Sequence, residues 1–359
     1  MKKIIFYFFP VFFLILIIAI LDFTLSNTVL KYKNCFYYEE YYYELKKNCK
    51  GKYRFKKSFP VVEIITDDMG LRIGKKSPSK NKAKKNIFIF GDSFTYGVGL
   101  EYEKTYAGLI EKEFKNYNVY NYAVGSYSPS VHLFKLKNAL NKKIYPEKIL
   151  LFLDLTDLLD EATRWQYNEN TEELKLASNY LYLLSKKKKK FTKRNFKILN
   201  NISTYLNYNL RNFREIANIK LYNQRKIKTS IQGSFTYIDR DLLDKRFWKN
   251  DTFEIGKENL KKRISQIAKI SKKNNIEFYL IIYPWGETLE FGQDKFNWSK
   301  YAREICSKDN CKIIDAIPNF VDYKKKNQKW STDLYFLNDE HFNEKGANLL
   351  FKTVAKEIK

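Results

Sequence analysis

A serine, a histidine and an aspartate in this chain have the types and local spacing needed to turn a hydroxyl into a nucleophile. Such a serine needs a base within hydrogen-bond reach and a third group that orients the base. The chain has only two histidines, His132 and His341, so few residues could be the base. Asp339 stands two residues before His341. With Ser93 as nucleophile, the chemistry would be attack on an ester carbonyl, with the histidine taking and returning the proton.

Ser93 follows a short apolar run that predicts a buried strand. Residues 87–90 are Ile-Phe-Ile-Phe, which is typical of a central strand in a parallel sheet. Residues 105–114 then carry apolar side chains at helical spacing, so Ser93 lies in the turn between a strand and a helix. Ligands of open α/β folds bind at that carboxyl edge of the sheet. The alternative is a serine that only caps a helix.

The two histidines have different sequence settings. His132 falls within a helical pattern, where it could simply be a surface or half-buried residue. His341 comes just before the last helical pattern, and alone it would be interpreted as a residue at the start of that helix, with Asn343 as the cap. The presence of Ser93 favours His341 as the base.

Strand and helix patterns alternate from about residue 86 to the end, which predicts a doubly wound parallel sheet. The candidate strands are residues 87–90, 119–122, 149–153, 277–283 and 312–315. Helical patterns start at Pro129, include residues 260–268, and follow Asn343. Residues from about 160 to 255 break this alternation, with helical stretches near 174–184 and 198–216. They are interpreted as an insertion over one edge of the sheet, forming a lid or a substrate wall.

The amino terminus predicts a membrane segment. Residues 4–21 form a run of about eighteen residues without a charge, preceded by two lysines. We expect residues 1–24 to be an uncleaved anchor, with a cleaved signal peptide as the alternative. In either case the rest of the chain lies outside the cytoplasm, in the periplasm or at the cell surface. Residues 25–85 would form a stalk, and residues 86–359 the α/β domain.

The four cysteines fit an exported chain. Cys35 and Cys49 flank a tyrosine-rich segment, and Cys306 and Cys311 flank a short polar one. Two close pairs in an exported protein predict two local disulfides, with four free thiols as the alternative. Neither pair has the Cys-x-x-Cys spacing of a zinc site.

The net charge of +26 does not indicate nucleic-acid binding. Lysine is spread along the chain, and arginines arranged for base recognition are missing from its one dense run, residues 186–190. We interpret that run as a solvated loop. Contact with an anionic membrane surface or an acidic polysaccharide is the weaker alternative.

The block Gly-Asp-Ser-Phe-Thr-Tyr-Gly around Ser93, a glycine after the second strand and Asp-x-His before the last helix resemble the SGNH (GDSL-type) hydrolases. The closest resemblance is to exported members related to acetyltransferases and esterases of surface polysaccharides. It covers roughly residues 60–150 and 277–359. It implies Ser93 as nucleophile, His341 as base and Asp339 as the orienting acid, with Asn338 as a lesser candidate. It also implies an oxyanion hole formed by the N–H groups of Ser93 and Gly125.

The chain departs from the family in the third block. Family members place an asparagine there as an oxyanion donor, and this chain has Thr156 instead. A threonine hydroxyl could still donate, which makes Thr156 the third candidate of the oxyanion hole. Asp154, Asp157 and Asp160 follow the same strand and form an acidic edge, interpreted as capping a loop rather than acting in catalysis.

The sequence therefore predicts a flavodoxin-like, three-layer α/β SGNH-hydrolase fold behind an amino-terminal transmembrane helix. The expected function is serine-dependent acyl-ester chemistry, either as an esterase or as an O-acyltransferase. The expected substrate is an acylated carbohydrate or another small ester, and transfer allows a membrane partner that donates the acyl group. No metal, cofactor or nucleic acid is implied. The alternative is a catalytically degenerate protein of the same fold that binds glycans or assists envelope assembly, an interpretation that Thr156 favours.

Overall fold

The computed structural model describes residues 2–27, 35–38, 42–55, 59–177, 252–294, 296–306, 311–336 and 339–359. The chain divides into two units, one of which consists of Asn34–Tyr180 and Thr229–Lys359 and contains the sheets. The other unit begins with Met1–Lys33. The lysine run at 186–190 and the helical stretch predicted at 198–216 lie outside the described residues.

The described strands and helices follow in chain order. The strands are β1 (Phe36–Tyr38), β2 (Tyr43–Leu45), β3 (Lys50–Tyr53), β4 (Val62–Thr66), β5 (Arg72–Ile73), β6 (Lys85–Phe90), β7 (Tyr117–Asn121), β8 (Lys148–Leu153), β9 (Trp165–Tyr167), β10 (Leu174–Leu176), β11 (Glu277–Ile282) and β12 (Lys312–Asp315). The helices are α1 (Lys2–Asn27), α2 (Ser93–Tyr96), α3 (Tyr106–Glu113), α4 (Pro129–Asn141), α5 (Thr156–Thr163), α6 (Thr252–Lys273), α7 (Gly286–Phe291), α8 (Trp298–Cys306), α9 (Ile317–Lys326), α10 (Trp330–Leu334) and α11 (Glu344–Glu357).

Five parallel strands form the central sheet in the order β7-β6-β8-β11-β12. All five predicted strands are confirmed, each to within two residues at either end. The chain leaves β6 for β7 on one side and then crosses to β8 on the other, which is the flavodoxin-like order. The switch point therefore lies between the carboxyl ends of β6 and β8, and the chain enters the Ser93 turn directly after β6.

The two faces of the sheet have separate apolar cores because side chains alternate along a strand. Phe88 and Phe90 of β6 pack on one face, in a core shared with α4, α6 and α8. Ile87 and Ile89 pack on the other, in a core shared with α3, α9 and α11. Burial on both faces explains why β6 is apolar without alternation. The fold is an α/β three-layer arrangement, as predicted.

The start of the predicted insertion differs from expectation. The helix predicted near residues 174–184 is wrong at its beginning, where Leu174–Leu176 is the strand β10, paired antiparallel with β9. The Leu-Lys-Leu sequence alternates with a period of two, and both leucines are buried while the lysine is exposed. The remaining residues of that stretch lie outside the described residues.

The segment before the parallel sheet has its own antiparallel structure. β1 and β2 form a hairpin, and β3, β4 and β5 form a three-stranded sheet. The predicted disulfides are both confirmed: Cys35–Cys49 ties this hairpin to the start of β3, and Cys306–Cys311 joins the end of α8 to the approach to β12. Cross-links of this kind stabilise small structures that have a limited apolar core.

Helix α1 covers the apolar run at residues 4–21. Its side chains from Phe12 to Ile18 are all exposed large hydrophobics. Among the described residues, no helix combines the length and apolar content that a membrane crossing requires.

His132 is fully buried in α4, contrary to the surface or half-buried position expected from its helical pattern. Neither of its ring nitrogens has a hydrogen-bond partner among the described residues. Its ring packs beside that of Phe90, with centroids 5.6 Å apart. The imidazole therefore belongs to the apolar core, where the charged form is strongly disfavoured.

The burial of His132 predicts that the protein becomes less stable as the pH is lowered. Burial lowers the pKa of His132 from 6.5 to about 3, so between these values the unfolded chain binds the proton and the folded chain does not. The free energy of unfolding should therefore decrease as the pH falls below 6.5. We compare the free energy of unfolding of His132→Phe with that of the wild type. The difference should shift by about 2 kcal/mol in favour of the variant when the pH is lowered from 7.5 to 5. Urea unfolding of both chains at both pH values measures this change, and a constant difference would contradict it.

Candidate active site

Ser93 is the first residue of α2, immediately beyond the end of β6. Asp92 is the cap of this short helix, and its carboxylate accepts the Phe94 N–H at 2.9 Å. Gly91 is required by close approach, because a Cβ there would lie 1.9 Å from the Thr95 hydroxyl oxygen. The Gly-Asp-Ser sequence thus makes the tight turn that exposes a serine at the sheet edge.

The structure brings Ser93, His341 and Asp339 into one hydrogen-bonded chain. Ser93 Oγ lies 2.8 Å from His341 Nε2, and His341 Nδ1 lies 2.5 Å from Asp339 Oδ1. The His341 N–H also donates to Asp339 Oδ1 at 3.0 Å, so carboxylate and histidine share one rigid turn. Asn338, the lesser candidate, lies outside the described residues. This arrangement can remove the serine proton and hold the resulting imidazolium.

Aromatic side chains enclose the imidazole. The ring of Phe94 lies 4.7 Å from that of His341, and Phe55 and Phe59 contact it edge-on at 5.2 and 6.4 Å. His341 is buried, with 3% of its surface exposed. Packing on three sides fixes the ring orientation that the proton transfer needs.

Gly125 lies beside the nucleophile, as the family resemblance implied. A Cβ built on Gly125 would be 3.7 Å from Ser93 Cβ, which puts the glycine backbone in contact range of the serine. The Gly125 N–H has no acceptor among the described residues. A free N–H next to a serine nucleophile is the donor that an oxyanion requires.

Thr156, the third oxyanion candidate, has its donors engaged elsewhere. Its hydroxyl and its backbone N–H both donate to Asp154 Oδ1, at 2.5 and 2.7 Å. A threonine hydroxyl has a single proton, so in this geometry it serves the Asp154 carboxyl. An oxyanion contact from Thr156 would require that bond to break.

The acidic edge after β8 is buried, not exposed. Asp154, Asp157 and Asp160 have at most 3% exposure, and burial raises the pKa of all three, that of Asp160 to about 7. Asp154 accepts the Trp285 indole N–H at 3.2 Å, and Asp157 accepts the Asp154 N–H at 2.8 Å. These contacts fit the predicted capping role, since they close the turn between β8 and α5.

Sequence reasoning missed two residues that shape the nucleophile turn. Asp92 Oδ2 lies 3.1 Å from Ser93 Oγ, a longer contact than the 2.8 Å to His341 Nε2, and burial raises the pKa of Asp92. Arg72 of β5 is completely buried and donates to the carbonyls of Gly97 at 3.0 Å and Leu100 at 2.6 Å. A buried guanidinium that binds both carbonyls holds the segment directly after α2. Asp92 belongs to the Gly-Asp-Ser block but was given no role, and nothing in the sequence marks Arg72, which lies in a strand of two residues.

Among the described residues, one cluster has potential metal-ligand atoms within 4.8 Å of one another, and it consists of Asp339, Glu340 and His341. Both ring nitrogens of His341 already face Asp339 and Ser93. A metal at this position would displace one of those partners, so the residues fit a proton relay better than a cation site.

No protein-family model and no curated protein matches the chain. Solved structures do match it. TesA is 11% identical, with a TM-score of 0.41 over 77% of this chain and 98% of that chain. A lipolytic G-D-S-L family member from Veillonella parvula DSM 2008 is 12% identical, with a TM-score of 0.39 over 76% and 98%. The family 3 carbohydrate esterase of Clostridium thermocellum is 11% identical, with a TM-score of 0.37 over 76% and 94%.

The Gly-Asp-Ser-Phe-Thr-Tyr-Gly block of the chain resembles that of the SGNH hydrolases. The solved structures that match the chain include proteins described as lipolytic members of the G-D-S-L family. Their identities of 12% and TM-scores of 0.39 assign neither a family nor an activity to this chain. The assignment of the site in this SGNH-like chain rests on the hydrogen bonds that join Ser93, His341 and Asp339.

Proposed function

We propose that this chain catalyses acyl-ester chemistry with Ser93 as the nucleophile. The observation that carries the proposal is the continuous bonding from Ser93 Oγ through His341 to Asp339, at 2.8 and 2.5 Å. A serine that merely caps a helix needs neither the imidazole nor the carboxylate. Gly125 beside Ser93 adds the donor expected for a tetrahedral intermediate.

The proposed reaction has two steps. Ser93 Oγ attacks the ester carbonyl while His341 Nε2 takes the serine proton, and the carbonyl oxygen becomes an oxyanion near Gly125. When the intermediate collapses, the ester C–O bond breaks, and His341 protonates the leaving alkoxide. His341 then takes a proton from the group that attacks the acyl-serine, which is water in hydrolysis or a sugar hydroxyl in O-acyl transfer. As the acyl–Oγ bond breaks, His341 returns that proton to Ser93 Oγ.

The proposed substrate is an acylated carbohydrate or a small ester outside the cytoplasm. The two disulfides support this location, because disulfides persist in oxidising compartments. The abundance of tyrosine, with 28 residues, supports a carbohydrate, since such rings stack on sugar faces. Membrane attachment through residues 4–21 and a membrane partner that donates the acyl group remain predictions from the sequence.

A second candidate function is binding without catalysis, in glycan recognition or envelope assembly. The observation that favours it is Thr156, which replaces the family's asparagine and donates its hydroxyl to Asp154. A weak oxyanion hole would slow acyl chemistry while leaving the site able to bind an ester. The presence of the complete Ser93–His341–Asp339 chain favours the enzyme.

Turnover of a small acetyl ester distinguishes these functions. We expect the purified chain to release acetate from 4-nitrophenyl acetate and from an O-acetylated polysaccharide, with Ser93→Ala as the matched inactive control. Adding an unacetylated oligosaccharide separates the two reaction classes: a transferase forms an acetylated product at the expense of free acetate. Release of acetate that Ser93→Ala leaves unchanged, or no acetate from either ester, would contradict the proposal.

A further inference from the structure

The loop that carries Gly125 is held by donors to three consecutive carbonyls. The Val124 carbonyl accepts the Tyr127 N–H at 3.1 Å. The Gly125 carbonyl accepts the Tyr43 hydroxyl at 2.7 Å, and the Ser126 carbonyl accepts the Trp165 indole N–H at 2.9 Å. Tyr43 and Trp165 belong to β2 and β9, which lie outside the parallel sheet. Segments added to the α/β core therefore fix this loop.

Fixing the carbonyls also fixes the N–H groups between them. In a trans peptide the C=O and the N–H of the same unit point in opposite directions. The bond to the Val124 carbonyl therefore sets the direction of the Gly125 N–H, and the bond to the Gly125 carbonyl sets that of the Ser126 N–H. Among the described residues neither N–H has an acceptor. Gly125 lies beside Ser93, so its N–H is available to an oxyanion there.

The loop needs this support because its backbone is strained. Ser126 has a φ of +62°, in the left-handed region that residues other than glycine seldom adopt. Strained positions persist only where their surroundings hold them. Two hydrogen bonds hold Ser126 from both sides. Tyr43 donates to the carbonyl before it, that of Gly125, and Trp165 donates to the carbonyl of Ser126 itself.

Tyr43 is itself rigidly positioned. Its ring lies 5.8 Å from that of Tyr127 and 5.6 Å from that of Trp165. The Tyr127 hydroxyl donates back to the Tyr43 carbonyl at 2.7 Å. The neighbouring Glu44 forms an ion pair with Lys135 of α4. The hairpin that carries Tyr43 is tied to β3 by Cys35–Cys49.

We propose that Tyr43 is a positioning residue for the oxyanion hole, acting through the carbonyl of Gly125. Its hydroxyl holds the Gly125–Ser126 peptide, and so restrains the glycine whose N–H lies beside Ser93 as the proposed oxyanion donor. The disulfide-bonded hairpin would then contribute to the active site by positioning the loop that carries Gly125. This inference rests on the proposed function, because it assigns Tyr43 a role in stabilising the transition state.

The test measures how fast a fluorophosphonate labels the full-length chain. In that reaction a bond forms between Ser93 Oγ and phosphorus, the P–F bond breaks, and fluoride leaves while His341 takes the serine proton. Negative charge develops on the phosphonyl oxygen, where the hole would bind it. Removing a direct oxyanion donor typically costs on the order of 10²–10³ in rate. For Tyr43→Phe, which misaligns donors without deleting one, we expect roughly a tenfold or greater loss in the maximal labelling rate.

Tyr301→Phe is the matched control. The Tyr301 hydroxyl also donates to a backbone carbonyl, that of Lys257, at 2.6 Å, in a different part of the fold. We expect this variant to label within about twofold of the wild-type rate, since it leaves the donors beside Ser93 unchanged. The concentration that half-saturates labelling should be unchanged in both variants, because a positioning role affects the chemical step and not probe binding.

The outcomes separate the role of Tyr43 from the proposed function. Wild-type labelling by Tyr43→Phe overturns the role of Tyr43 and leaves the proposed function intact. A wild-type chain that never reacts overturns the proposed function and this inference together. If Tyr43→Phe does not fold, Trp165→Phe removes the neighbouring bond to the Ser126 carbonyl. A rate loss of tenfold or more in that variant supports the inference, and an unchanged rate contradicts it.

Discussion

Ser93→Ala and His341→Ala are each expected to lower kcat on an acetyl ester by roughly 10⁴–10⁶-fold. The alanine at position 93 removes the nucleophile, and the alanine at position 341 removes the base that lies 2.8 Å from it. Because the two side chains act as one unit, the double variant should be little worse than either single variant. Steady-state kinetics on 4-nitrophenyl acetate, with each variant checked for native unfolding behaviour, measure all three losses.

His132→Phe is the control for these variants because it removes the chain's other histidine. His132 is buried in α4 against Phe90, so its replacement should leave kcat within a few-fold of wild type. A loss of kcat in the double variant equal to the product of the two single losses would contradict a shared function of Ser93 and His341. So would a loss in His132→Phe as large as that in His341→Ala.

Asp339→Asn is expected to lower kcat by about 10⁴-fold while leaving the fold intact. Asp339 Oδ1 lies 2.5 Å from His341 Nδ1 and accepts the proton on that nitrogen. An asparagine can present its amide donor instead, which stabilises the wrong tautomer and leaves no negative charge to support the imidazolium. Kinetics on the same ester, with crystallography or circular dichroism to establish an unchanged fold, test this expectation.

Glu340→Gln is the matched control for Asp339. Glu340 Oε1 lies 3.9 Å from the same His341 nitrogen, so the variant removes a nearby charge without removing the orienting bond. We expect it to keep kcat within about tenfold of wild type, since a contact at this distance contributes little. An equal loss in both carboxylate variants would show that the charge of the loop matters and the Asp339 bond does not.

Much of the sheet could be predicted because a parallel strand buried on both faces is an unbroken apolar run. Residues 87–90 and 149–153 contain no polar side chain, and both became central strands. Of the antiparallel strands, β2 and β3 were missed because they are short and polar. β2 contains Glu44, and β3 contains Lys50 and Lys52, so no apolar pattern marks them.

The site was partly predictable for the same local reasons. Ser93 follows a strand and His341 precedes a helix, and each position is visible in the sequence. Contacts between distant segments are not. The bond from Tyr43 to Gly125 joins residues 82 positions apart, and no spacing rule indicates it. The same holds for Asp154 and Trp285, which are 131 positions apart.

The intact mass of the chain after reaction with a fluorophosphonate, followed by peptide mapping, shows whether Ser93 is the nucleophile. We expect one adduct per chain, located on Ser93, with no adduct on Ser93→Ala and a greatly reduced rate for His341→Ala. An adduct on any other residue, or labelling of Ser93→Ala at the wild-type rate, would contradict it.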